Sequence, residues 1–125
     1  QGIVPVVHPI GKDGEGRMLN VNADTLAAGI AAGIGADEMV AITDVPGILR
    51  DVSDPSSLIE ELDLAEVDRL IADGTISGGM LPKVEACRKA LEAGAGAVRM
   101  VNGKDRRCIV SDIVNGVPHG TLIRR

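Results

Sequence analysis

The stretch NADTLAAGIAAGIGADEMVAITD, residues 22–44, decides how the rest of the chain is read. From Ala23 to Ile34 the apolar residues Leu26, Ile30 and Ile34 recur every fourth position, which is helical spacing. Ala27, Gly29, Ala31 and Gly33 keep that helix thin enough for close packing, and Gly35 suits the left-handed residue just past its end. Residues 38–43, EMVAIT, then form a short β-rich run ending at Asp44, which reads as a buried strand. A helix feeding a buried strand is the repeating unit of α/β folds with parallel sheets.

Working outward, the same alternation continues. IVPVVH, residues 3–8, reads as a strand with Pro5 at its edge. GKDGEG is a polar turn, and RMLNV is a second hairpin arm. VPGIL turns the chain after Asp44, and DVSDPSS is a surface loop. LAEVDRLIADG predicts a short amphipathic helix stopping at Gly74. Met80, Val84, Cys87 and Leu91 form one stripe of a further helix closed by Gly94. AVRMV is a strand, DRRCIVSDIVNG a helix closed by Gly116, and GTLIRR a last strand. The expectation is one domain over residues 1–125, a three-layer α/β/α sandwich with a mainly parallel sheet.

Composition narrows the function. Among 125 residues there is no Phe, Tyr or Trp, which excludes stacking platforms for single-stranded nucleic acid. The net charge of −5 also disfavours a nucleic-acid partner. No apolar run approaches the roughly 20 residues of a membrane span, and QGIVPVVHPI, with two prolines and no basic n-region, does not read as a signal peptide. Cys87 and Cys108 make no CxxC pair and no zinc-like cluster with histidine, so they read as free thiols of a cytoplasmic protein, with no protein-held metal. His8 and His119 carry no catalytic signal; GKDGEG lacks the order of a phosphate loop; the pairs Arg106–Arg107 and Arg124–Arg125 read as solvated faces.

Three stretches carry chemistry. In TISGGMLPK, residues 75–83, Pro82 fits a first helical turn, but Lys83 opposes the helix dipole there. A bound anion reverses that sign, because amide groups and ammonium then act on the same phosphate. A glycine turn with a solvated lysine is the plain alternative. Asp44 ends a strand before Val45, Pro46 and Gly47, at the edge where α/β sheets gather ligands; an Asx-turn explains it equally simply. In NVNAD, Asn20 and Asn22 fall on one face by strand alternation, and Asp24 suits the positive end of the helix. One amide can cap the helix, which leaves the other for a carboxylate or amide ligand.

NVNAD, TDVPGIL and ISGGMLPKV, in this order and spacing, closely resemble the C-terminal half of the N-acetyl-L-glutamate kinases, within the amino acid kinase family. The likeness runs from PVVHPIG to NGVPHGTLI. TDVPGI is shared loosely with aspartokinases, whereas NVNAD coupled to GGMxPK is far more specific. The resemblance implies the C-terminal, ATP-binding lobe of such a kinase. It implies transfer of the γ-phosphoryl group of ATP, with Mg2+ held mainly by phosphates and water, to the side-chain carboxylate of N-acetyl-L-glutamate in arginine biosynthesis.

By the same resemblance Lys83 neutralises the phosphoryl group in transit and Asp24 orients the catalytic lysines. Asn20, Asn22 and Ala23 meet the acetylglutamate. Thr43, Asp44, Val45, Pro46, Gly47, Ile48 and Leu49 line the nucleotide site, with Thr75, Ile76, Ser77, Gly79 and Met80. The family's N-terminal half, with its glycine loop, a further catalytic lysine and an arginine–glycine substrate clamp, has no counterpart in these residues. The chain is therefore expected to be a fragment, inactive alone, whose partner is the missing N-terminal lobe and whose complete form is a homo-oligomer. A kinase acting on carrier-bound aminoadipate, or a non-catalytic nucleotide-binding module, stands as the alternative.

Overall fold

The computed structural model describes residues 2–104, 115–116 and 119–125. It contains six strands and three α-helices among those residues: β1 (Ile10–Lys12), β2 (Met18–Asn20), α1 (Ala23–Gly33), β3 (Met39–Thr43), β4 (Glu61–Asp63), α2 (Leu64–Ala72), α3 (Met80–Ala93), β5 (Val98–Asn102) and β6 (Thr121–Arg124). A four-stranded sheet runs in the order β3-β5-β6-β4. β3 and β5 are parallel, with Met39 opposite Val98 and Thr43 opposite Asn102. β4 and β6 are parallel, and the β5–β6 pair is antiparallel. The fold is α/β with a mixed, mostly parallel sheet. The helix expected over residues 105–116, and Cys108 within it, lies outside the described residues except for Asn115 and Gly116.

The elements form for local reasons. α2 starts with a reciprocal cap: Asp63 Oδ1 accepts from the Glu66 amide at 2.6 Å, and the Glu66 carboxylate accepts from the Asp63 amide at 3.0 Å. Gly74, at φ 84°, ends it where expected. α3 buries Val84, Cys87, Ala90 and Leu91, the stripe the spacing predicts. These residues meet Val98 and Met100 of β5, Ile123 of β6 and Val67 of α2 in one core.

Four expectations need correction. Residues 3–8 are not a strand: Ile3, Val4, Val6 and Val7 are exposed, and the hairpin arm begins at Ile10 instead. Pro5 and Pro9 lack the N–H that a paired strand needs, and β2 finds its register with Ile10, Gly11 and Lys12. α1 forms as expected but turns a different face inward. Ala28 and Ala31 are buried, while Ile34 is 74% exposed. Small residues let α1 lie close against α3, so the bulkier stripe points away. β4 has no signal in the sequence, because Glu61 and Asp63 flank a single buried Leu62. Finally, Arg125 is not simply solvated: its Nε donates to the Leu91 carbonyl at 2.9 Å and supplies a cation to the C-terminus of α3.

Candidate functional site

Chain order decides what meets at the site. α1 precedes β3 and α3 precedes β5, and each helix runs back along the strand that follows it. The amino ends of both helices therefore lie at the carboxyl edge of the parallel pair β3–β5. Asp24 sits in the first turn of α1 and Lys83 in the first turns of α3, while Asp44 follows directly on β3. Three residues far apart in sequence are thus gathered around one cavity of about 620 Å³, lined also by Ala23, Ala27 and Thr43.

Within it the Lys83 ammonium donates to the Asp44 carboxylate. This hydrogen bond, more than any other influence, holds the Asp44 carboxyl below its ordinary pKa of 3.8. Asp44 is 70% exposed and Lys83 32% exposed, so water reaches the pair and an anion can compete for the ammonium. Asp24 lines the cavity without joining that ion pair. Cys87 forms part of the wall; burial foremost, and then the Asp24 carboxylate, push its thiol up to about 12, so it stays protonated and inert.

The other expected residues divide. Asn22 is the cap of α1, its Oδ1 accepting from the Thr25 amide at 3.0 Å and hydroxyl at 3.2 Å. Asn20, at the end of β2, is exposed and lies outside this cavity. Asn22 and Asp24 also border a second groove of about 440 Å³ between α1 and α3, with Pro82, Glu85 and Lys89. Val45, Pro46, Gly47, Ile48 and Leu49 do not line the main cavity. Ile48 is a core residue at 1% exposure, its amide donating to Thr121 Oγ1 at 2.8 Å. Gly47 has φ 147°, and a Cβ there would lie 2.5 Å from that same oxygen.

Thr75, Ile76, Ser77, Gly79 and Met80 likewise stay off the cavity wall. Ile76 is buried, the Thr75 amide donates to Asp73, and the Ser77 carbonyl accepts from the Met80 amide. Gly79 caps α3 without a side-chain bond. Two residues that the sequence reading passed over, Gly103 and Lys104, do line the cavity. An Asn-Gly-Lys turn directly after a strand was the signal available.

The sequence profile of the amino acid kinase family matches residues 1–102. The chain belongs to the amino acid kinase family. An acetylglutamate kinase from Methanobrevibacter smithii is 42% identical over 120 residues, covering 96% of this chain and 41% of that protein. One from Clostridium acetobutylicum is 41% identical over 122 residues, covering 98% of this chain and 41% of that protein. The chain thus spans about two fifths of the length of the curated relatives it matches. Among solved structures, the carbamate kinase from Giardia lamblia bound to AMP-PNP has a TM-score of 0.66 at 22% identity, over 93% of this chain and 41% of that one. At that identity the likeness shows the amino acid kinase fold alone. Among the described residues no helix is long and apolar enough to cross a membrane, and no group of three or more His, Cys, Asp or Glu could hold a metal ion.

Proposed function

We propose that this chain is the nucleotide-binding part of an acetylglutamate kinase. In that reading it takes part in γ-phosphoryl transfer from ATP to the side-chain carboxylate of N-acetyl-L-glutamate, an arginine-pathway step in the cytoplasm. The observation that carries the reading is the convergence of Lys83, Asp44 and Asp24 on one cavity at the carboxyl edge of β3–β5. Acetylglutamate kinases at about 41% identity share almost the whole chain, which favours this substrate over carrier-bound aminoadipate.

Phosphoryl transfer asks little covalent chemistry of a protein; it asks for positioning and for cations around the oxygens of the group in flight. Lys83 is suited to that task. Asp44 keeps its ammonium over the cavity until phosphate oxygens take over as acceptors. Asp24, in the first turn of α1, holds negative charge across the gap and orients the ammonium groups, while Ala23 and Asn20 border the path toward the acceptor. Thr43 opens the nucleotide-binding segment through Leu49, whose inner residues shape the loop from below. Thr75–Ser77, Gly79 and Met80 do the same for the start of α3.

Mg2+ fits this donor set only as a phosphate-held ion, since two carboxylates opposite ammonium groups form no oxygen cage of the kind a protein-bound ion needs. Bound with the nucleotide, it neutralises charge on the phosphates. In this reading the remaining parts of the site, including a phosphate-cradling loop, are supplied by an N-terminal lobe, and the complete protein is a homo-oligomer.

Calorimetry with ATP and ADP tests it. Weak binding abolished by Lys83→Glu and retained in Asn20→Ala is expected, with no phosphorylation of N-acetyl-L-glutamate by the 125-residue chain above a Lys83→Ala control. Absence of heat with either nucleotide refutes nucleotide binding, and turnover by this chain alone refutes the division of labour. Binding in a complete form that phosphorylates neither acetylglutamate nor carrier-bound aminoadipate points to the non-catalytic module.

A further inference from the structure

We infer that Lys104 is a second anion-binding cation of the cavity, placed to hold the phosphate chain of the nucleotide together with Lys83. This deepens the nucleotide reading above and rests on it. The inference starts from charge. Among the described residues other than Lys104, the ionised side chains on the cavity wall are Asp24, Asp44 and Lys83, two carboxylates against one ammonium. Such a site repels a polyphosphate, because like charges at contact distances cost several-fold more than the same charges in bulk water. Lys104 lines the same cavity and makes the count among the described residues two against two. Its charge also reaches Asp44, where it adds to the effect of Lys83 in favouring the ionised carboxylate.

Backbone geometry places it there. Thr43 and Asn102 are paired at the ends of β3 and β5, so Asp44 and Gly103 leave the sheet side by side. The Gly103 amide donates to the Thr43 carbonyl at 2.8 Å, which folds the chain leaving β5 back over the end of β3. Glycine eases that approach, since a Cβ at position 103 would lie 2.5 Å from Ile42 Cγ2 and would force that side chain to shift. The Lys104 amide then donates to Asn102 Oδ1 at 3.0 Å, closing the turn. Lys83 arrives from α3 and bonds Asp44, while Lys104 comes from the end of β5 and acts on Asp44 through its charge, so the two cations come from different elements. Two cations supplied by separate elements to one cavity suit a chain of linked phosphates. The expected ligand class is therefore a nucleoside di- or triphosphate rather than a monophosphate.

The test titrates the protein with ATP, with inorganic tripolyphosphate and with adenosine by calorimetry, in the unaltered chain and in Lys104→Gln, Lys104→Arg and Lys89→Gln. Lys89 borders the second groove and controls for a simple change in net charge. Lys104→Gln is expected to weaken ATP and tripolyphosphate about tenfold, the value of one charge-assisted hydrogen bond, and to leave any adenosine binding unchanged. Lys104→Arg is expected to stay within about threefold of the unaltered chain, and Lys89→Gln to match it. Equal affinity of Lys104→Gln and the unaltered chain for both anions, while Lys83→Gln weakens them, overturns the role of Lys104 and leaves the nucleotide reading standing. If Lys104→Gln weakens tripolyphosphate but ATP binds no better than tripolyphosphate, the anion site stands and the nucleotide reading falls. Binding of neither anion overturns both. Matched thermal melting of the variants excludes misfolding as the cause of any loss.

Discussion

Gly47→Ala separates two reasons for a glycine in the loop after Asp44. If Gly47 exists to let a ligand approach the main chain, alanine impairs binding and leaves stability alone. The structure gives it a different task. A Cβ on Gly47 would lie 2.5 Å from Thr121 Oγ1, 2.9 Å from Leu58 Cδ1 and 3.0 Å from the Thr121 amide nitrogen, at a φ of 147°. Thr121 is fully buried, and its hydroxyl already accepts from the Ile48 amide at 2.8 Å and donates to the Ile59 carbonyl at 2.6 Å. It therefore has little freedom to move aside. Overpacking a filled site costs about 1–3 kcal/mol, and a non-glycine residue in a disfavoured backbone region adds about 1–3 kcal/mol. We take about 3 kcal/mol for the two together. An unfolding entropy of about 2.1 cal/mol/K per residue gives about 0.26 kcal/mol/K for a chain of 125 residues, and hence a fall in Tm of about 11 °C. Differential scanning calorimetry measures it. The double variant Gly47→Ala/Thr121→Ala should lose less than the sum of the two single losses, because the Oγ1 clash is gone. A Tm for Gly47→Ala within about 2 °C of the unaltered chain refutes the packing argument.

Asn22→Ala removes the oxygen that caps α1 and is expected to cost about 1 kcal/mol by denaturant unfolding, whereas Asn20→Ala should be neutral for stability; equal effects would show that the cap is not the reason for Asn22. The lowered Asp44 pKa means that the Lys83–Asp44 contact is fully present above the ordinary carboxylate value of 3.8 and is lost as pH falls through the lower folded value. NMR titration of the Asp44 carboxyl carbon should accordingly show a midpoint below 3.8 that rises in Lys83→Gln, and an unmoved midpoint would remove the ion pair from the site.

Most of the helical framework was legible in the sequence, because caps, glycine stops and apolar spacing are local signals. Asp63, Glu66 and Gly74 bracket α2 within a dozen residues of one another, and Gly94 ends α3 without help from elsewhere. The candidate site was legible as residue types in the right order: an acidic residue at one helix start, a lysine at another, an aspartate at a strand end. What those signals lack is direction. α1 presents Ala28 and Ala31 inward rather than Leu26, Ile30 and Ile34, since the distance to α3 selects small side chains and no residue of α1 encodes that distance. β4 is visible only through its pairing with β6, some sixty residues away.

The site divides in the same way. Local sequence determined that Asn22 or Asn20 would cap α1 and that Pro82 would sit in the first turn of α3. Tertiary structure alone decided that Lys83 bonds Asp44 while Asp24 faces them, that Gly47 serves Thr121, and that Lys104 shares the cavity. The physical reason is range. Backbone propensities and caps act over a turn or two of chain, whereas a cavity is made by the relative placement of β3, β5, α1 and α3, which follows from how their buried faces pack together.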